Sequence, residues 1–144
     1  MAVTFDSNVS ITVEIAFDSN PLDSSQSFTD VSQFLRSFTT NRGRNSNLDK
    51  FQTGTATVVL DNRDNRFSPN QTTHFFDSST GITKIQPLKR LRIRATHSST
   101  TYDIFHGFVE SFPVNYAGQG SDSTTRIKVV DAFKLFFNAT LDGV

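Results

Sequence analysis

Residues 9–17 read Val-Ser-Ile-Thr-Val-Glu-Ile-Ala-Phe. Val9, Ile11, Val13, Ile15 and Phe17 fall on one side of an extended chain, and Ser10, Thr12, Glu14 and Ala16 on the other. This period of two is that of a half-buried strand. Working outward, the same pattern returns in Phe51–Leu60 (FQTGTATVVL), where Gly54 marks a bulge or a close backbone approach. It returns again in Leu88–Ala95, in Tyr102–Val109 across a Ser98–Thr101 turn, and in Thr125–Val130. Asp131 is a good N-cap for a short helix over Ala132–Phe137. Thr29–Leu35 opens a helical turn capped by Thr29 or Asp30, or belongs to a strand over Val31–Phe38; both readings stand. Asn41–Asn45 reads as a turn or bulge around Gly43, and Asp61–Arg66 as a turn of Asx-forming side chains. His74–Thr83 has no clear period. Strands joined by short turns predict an all-β, mainly antiparallel sandwich or barrel with one or two short flanking α-helices.

The composition agrees. Ser and Thr total 35, there are 12 Asp against two Glu, and 15 Phe stand beside two Tyr and no Trp. Thr, Val, Ile and Phe favour strands, while Ser, Asn and Asp fill turns. A chain of 144 residues fits one domain, residues 1–144, and buries about two-thirds of its unfolded surface. The absence of Cys excludes disulfides, thiolate zinc ligands and thiol nucleophiles. Zero net charge gives no general attraction to nucleic acid or membranes. No apolar run approaches the ~20 residues of a membrane helix. The opening MAVTFDSNVS also lacks a secretory signal pattern.

No catalytic or metal constellation stands out. His74, His97 and His106 are scattered, no Ser sits in a nucleophile elbow, and Glu occurs only at 14 and 110. Asp61–Asn65 lacks the Gly and the downstream Glu of a calcium loop. The expectation is no enzyme, no cofactor and no metal. Arg90, Arg92 and Arg94 share one face of their strand, opposite Leu91, Ile93 and Ala95. They form a salt-bridged outer face, a subunit interface that meets Asp rows, or a weak phosphate contact.

From Thr29 to Asp131 a further order of residues is present. Asp30-Val31 precedes Arg42-Gly43-Arg44, then Phe51, Gly54-Thr55-Ala56, Val58 and Leu60. Asn62, Asp64, Phe67 and Pro69 follow; later come Pro87-Leu88, Arg92-Ile93-Arg94, Phe105-x-Gly107-Phe108-Val109 and Val129-Val130-Asp131-Ala132-Phe133. This resembles the minor tail proteins of long-tailed bacteriophages, in particular the N-terminal domain of tail-tip hub or distal-tail proteins. The resemblance implies a fold like that of tail-tube proteins and a structural place in the virion tail, at the hub, baseplate or distal-tail ring. It also implies self-association into a trimeric or hexameric ring after assembly in the host cytoplasm. Such a ring touches neighbouring tail-tube or tail-tip proteins, with non-specific proximity to DNA in the channel and no membrane partner. On this reading the assembly surface draws on Arg42, Gly43, Arg44, Asn62, Asp64, Arg90, Arg92 and Arg94. Phe51, Gly54, Leu60, Phe67, Pro69, Phe105, Gly107 and Asp131 form the structural motif. The alternative from another class is a carbohydrate-binding β-sandwich. It needs stacking platforms that a chain with no Trp offers only at Tyr102 and Tyr116.

Overall fold

The computed structural model describes residues 8–43, 52–117, 122–133 and 136. In chain order the strands are β1 (Val9–Ile15), β2 (Thr29–Asp30), β3 (Leu35–Gly43), β4 (Gln52–Asp61) and β5 (Phe76–Asp77). They continue with β6 (Ile82–Thr83), β7 (Arg90–His97), β8 (Thr100–Ser111), β9 (Val114–Asn115) and β10 (Thr124–Val130). The fold is all-β, and every pairing is antiparallel. Eight strands form one sheet ordered β2-β1-β7-β8-β10-β4-β3, with β9 attached to β10; β5 and β6 form a separate hairpin.

The two ends of that sheet are close in sequence. β2 and β3 are its edge strands, yet only Val31–Phe34 lies between them. The five Cα steps from Asp30 to Leu35 span at most ~17 Å. A flat path of seven strands would hold its edges ~29 Å apart. The sheet therefore has to coil until its edges approach. At the seam, Val31 N–H donates to Val13 O at 2.9 Å, and Val13 N–H donates to Ser32 Oγ at 2.9 Å.

This seam also settles the ambiguous segment. Ser32–Phe34 is a single 3-10 turn whose N-cap is Val31, without a side-chain cap. Thr29 and Asp30 are not helix caps: the Asp30 carboxylate accepts from Ser32 N–H at 2.8 Å and from Ser32 Oγ–H at 2.5 Å. Strand β3 begins directly after the turn. Of the turn or bulge expected at Asn41–Asn45, the described part is strand as far as Gly43 with a bulge in its pairing, because the register passes from Asn41↔Thr55 to Gly43↔Gln52. Thr53 and Gly54 thus face the single residue Arg42, which makes Gly54 the bulge its sequence context suggested. Arg44 and Phe51 lie outside the described residues. Helical backbone is present at Ala132, Phe133 and Phe136, and the rest of the expected helix lies outside the description.

Alternating residues of β1, β4, β7, β8 and β10 fill one continuous core, in which Val13, Ile15, Val58, Leu60, Leu91, Ile93, Val109 and Ile127 are fully buried. Phe105 belongs to the same cluster. Gly107 of β8 sits where β10 crosses closely. A Cβ added there would lie 2.5 Å from Val130 O, 2.8 Å from Phe105 Cε1 and 3.0 Å from Val129 Cγ1. Backbone cannot retreat as a flexible side chain can. Gly107→Val is therefore expected to lower stability by ~1–3 kcal/mol or more, the cost of overpacking. A urea unfolding midpoint equal to that of the native chain would refute the close crossing.

Candidate functional site

The β1–β7 register sets Glu14 opposite Arg92, and the strand period sets Arg90 and Arg94 on the same outer face. The Glu14 carboxylate takes a fork from Arg92, Nε to Oε2 at 2.7 Å and Nη2 to Oε1 at 3.0 Å. Arg94 Nη2 meets Oε2 at 2.7 Å. Glu14 is only 8% exposed, so two guanidinium groups compensate a carboxylate that has lost most of its water. The hydrogen bond from Arg92 holds its pKa below the usual 4.5, against the opposing effect of burial. The Arg92 guanidinium also lies 3.9 Å from the Phe28 ring centre, and Phe28 meets His106 edge-on at 6.1 Å. Burial, opposed by the nearby Asp103 charge, pushes the His106 pKa down.

The arginine row therefore divides. Arg92 and Arg94 meet an acid inside their own chain, which is the salt-bridged outer face rather than a row held free for a neighbour. Arg90 differs: its Nε donates to Pro21 O at 2.6 Å and its guanidinium lies 5.5 Å from the Phe108 ring centre. Its terminal nitrogens make no hydrogen bond among the described residues.

The other expected interface residues separate in the same way. Asn62 is fully buried and has no surface to give a partner. Its Oδ1 accepts from Phe67 N–H at 2.8 Å, its Nδ2 donates to Ser68 Oγ at 3.0 Å, and its N–H donates to Ser123 O at 2.9 Å. It is the internal brace of the 61–70 loop. Asp64 is exposed but paired with Arg66, whose hydrogen bond lowers the Asp64 pKa. Arg66 in turn lies 4.0 Å from the Phe34 ring centre. Arg42 is exposed on edge strand β3, its Cγ 3.5 Å from where a Cβ on Gly54 would sit. Gly43 pairs with Gln52.

The motif residues are brought together as fold determinants. Gly54 N–H donates to Asp131 Oδ2 at 2.6 Å, and Asp131 N–H donates to Gly54 O at 3.0 Å. A Cβ on Gly54 would lie 2.8 Å from that Oδ2. Asp131 Oδ1 accepts from Phe133 N–H at 3.0 Å, as an N-cap should. Leu60, Phe67 and Phe105 are buried, whereas Pro69 is exposed. Among the described residues no group of three or more acidic or His side chains is placed to hold a metal ion. No described helix is long and apolar enough to cross a membrane. Neither a protein-family model nor a curated protein matches the chain.

Sequence reasoning missed two features. Glu14 is the acid of the outer face, and its signal was a lone Glu on the polar side of the first strand. The second is an apolar groove lined by Pro21, Leu22, Leu88, Phe108, Ala132 and Phe136, which come from two loops, from β8 and from the helical residues after β10.

Two outcomes follow from this geometry. Because the folded pKa of Glu14 lies below its unfolded value, its stabilisation is fully present above the usual carboxylate range and is lost as pH falls through the lowered value. The melting-temperature gap between the native chain and Glu14→Gln should be widest near neutral pH and close in acid; a gap constant with pH would refute the pairing. Asn62→Ala should cost ~1–3 kcal/mol by stranding the buried Phe67 N–H, and an unshifted denaturant midpoint would show that water replaces the amide.

Proposed function

We propose that this chain is a structural, non-catalytic component of a bacteriophage tail tip, in a hub, baseplate or distal-tail ring that links the tail tube to tip proteins or fibres. The observation that carries the reading is the order along one chain of Asp30-Val31, Arg42-Gly43, Gly54 to Leu60, Asn62, Asp64, Phe67, Pro69, Phe105-x-Gly107 and Asp131. What supports it is that these positions do connected work: Gly54 with Asp131, Asn62 with Phe67, and Gly107 with Val130. Residues scattered over a hundred positions define one coiled antiparallel wall, as a ring-forming subunit requires. In this reading the sheet closes as a sandwich or barrel, and copies associate as a trimer or hexamer. Exposed Arg42, with Arg44, offers the planar, bidentate donors that suit a neighbour's carboxylates.

The test is placement and assembly. A reconstruction of intact tails should find the chain in a ring at the tip, and its absence from purified virions would end the reading. Arg42→Ala combined with Arg44→Ala should leave circular dichroism and melting of the isolated chain unchanged while tail assembly fails. Infectious tails at native yield would make these arginines ordinary surface charge.

A further inference from the structure

The exposed large apolar side chains are not scattered evenly. Leu22 is 84% exposed, Phe136 72% and Leu88 46%, and all three line one groove of about 480 Å³ with Pro21, Phe108 and Ala132. Leu88 holds a φ of 67°, a left-handed conformation that costs a residue with a Cβ free energy. It is fixed there by its N–H donating to Val109 O at 2.7 Å and by Val109 N–H donating to Lys89 O at 2.8 Å. A strained backbone thus keeps an apolar side chain at the surface. The groove continues, past the shared Phe108 and Ala132, into a second cavity of about 240 Å³ bounded by Arg90, His106 and Gly107. One end is apolar and the other cationic.

The loop beside the groove carries the complementary set. Leu22 projects from it as a knob, and Asp23 follows directly. The Asp23 Oδ2 accepts from Asn20 N–H at 2.8 Å, and its other carboxylate oxygen makes no hydrogen bond among the described residues. One patch therefore holds an apolar knob, an apolar hole, a guanidinium whose terminal nitrogens make no hydrogen bond among the described residues, and an exposed carboxylate. That is the requirement for an isologous contact, in which the same patch serves both partners. A chain of zero net charge has no overall repulsion between copies to overcome.

We propose that this groove is a two-fold contact between copies of the chain, in which Leu22 of each copy fills the groove of the other and Asp23 of each meets Arg90 of the other. The contact stands independently of the tail reading; within a ring it would join two rings face to face. It leaves edge strand β3 and Arg42 free for other neighbours.

Sedimentation velocity over a concentration series tests it with the chain as it exists. The native chain should form a discrete dimer, or an even-numbered assembly if rings also form. Leu22→Glu places a charge at a position too exposed to matter for folding of the monomer. It should abolish the two-fold association with an unchanged melting curve at dilutions where the native chain is also monomeric. Arg90→Asp and Asp23→Arg should each weaken the dimer more than tenfold, and the two together should restore it. The chain has no Cys, so copies carrying Leu22→Cys mixed with copies carrying Phe136→Cys should cross-link on oxidation as mixed dimers. A native chain monomeric at every concentration, or a dimer indifferent to Leu22→Glu, overturns the proposal. A ring that persists unchanged in Leu22→Glu refutes this contact while leaving the tail reading intact. A dimer that depends on Leu22 but is absent from virions does the reverse.

Discussion

Four residues, Val31–Phe34, tie the two edges of an eight-stranded sheet together, and much of the molecule follows from that tether. A sheet so constrained has to coil, and a coiled sheet has an inside. The inside takes Val13, Ile15, Val58, Leu60, Leu91, Ile93 and Ile127 from strands far apart in sequence. The tether is itself held by Val13, which accepts from Val31 N–H and donates to Ser32 Oγ, while Asp30 orients Ser32 from the other side. Polar side chains here replace the ladder bonds that a longer β2 would have made. The edge can then turn into a single 3-10 turn without leaving these backbone groups unpaired.

Coiling also explains the use of aromatic residues. The segment after β4 has no period and forms only the two-residue strands β5 and β6, yet it is anchored. Phe17 stacks on Phe75 at 4.1 Å, Phe75 on Phe67 at 5.7 Å, and Phe67 meets Phe34 edge-on at 5.6 Å, with Arg66 over Phe34. This row of rings runs from the end of β1 to the tether. Large, stiff side chains contributed by loops close the end of the core where no strand is available. Asn62 supplies the polar counterpart, fixing the loop so that Phe67 points inward. A Phe-rich, Trp-free composition suits this task, since a buried ring without an N–H needs no hydrogen-bond partner.

Five of the six long strands, β1, β4, β7, β8 and β10, were legible in the sequence because one face of each is buried and the period of two is visible over six or more residues, whereas β3 stayed open between a helical turn and a strand. Strands β2, β5, β6 and β9 were not, since two residues show no period. The bulge at Gly54 was readable because a Gly inside a β-branched run is costly unless backbone approaches it, and Asp131 does. Arg42-Gly43 was read as a turn or bulge because Gly suits both, and only the partner strand's register decides between them. The Glu14 pairing needed the same missing information, since residues 78 positions apart meet only once the β1–β7 register is known. Leu22 was overlooked as an isolated apolar residue in a loop, Leu88 was read as the start of a strand that begins only at Arg90, and Phe136 was read as part of a short helix. Their significance lies in being adjacent in space.

The division between buried and exposed residues bears on what a motif can say. Asn62, Gly107 and the Gly54–Asp131 pair satisfy backbone or permit close crossing, so a sequence that shares them shares the constraints of this coiled sheet. Such residues specify a wall. They do not specify what the wall touches, because their side-chain polar atoms are engaged with backbone and side chains of their own chain. Specificity for partners has to reside in side chains that the fold leaves over: Arg42 on edge strand β3, and Leu22, Leu88 and Arg90 around the groove. Arg92 and Arg94 illustrate the difference. In a one-dimensional pattern they are equivalent to Arg90, but both meet Glu14 across the strand, whereas the terminal nitrogens of Arg90 make no hydrogen bond among the described residues.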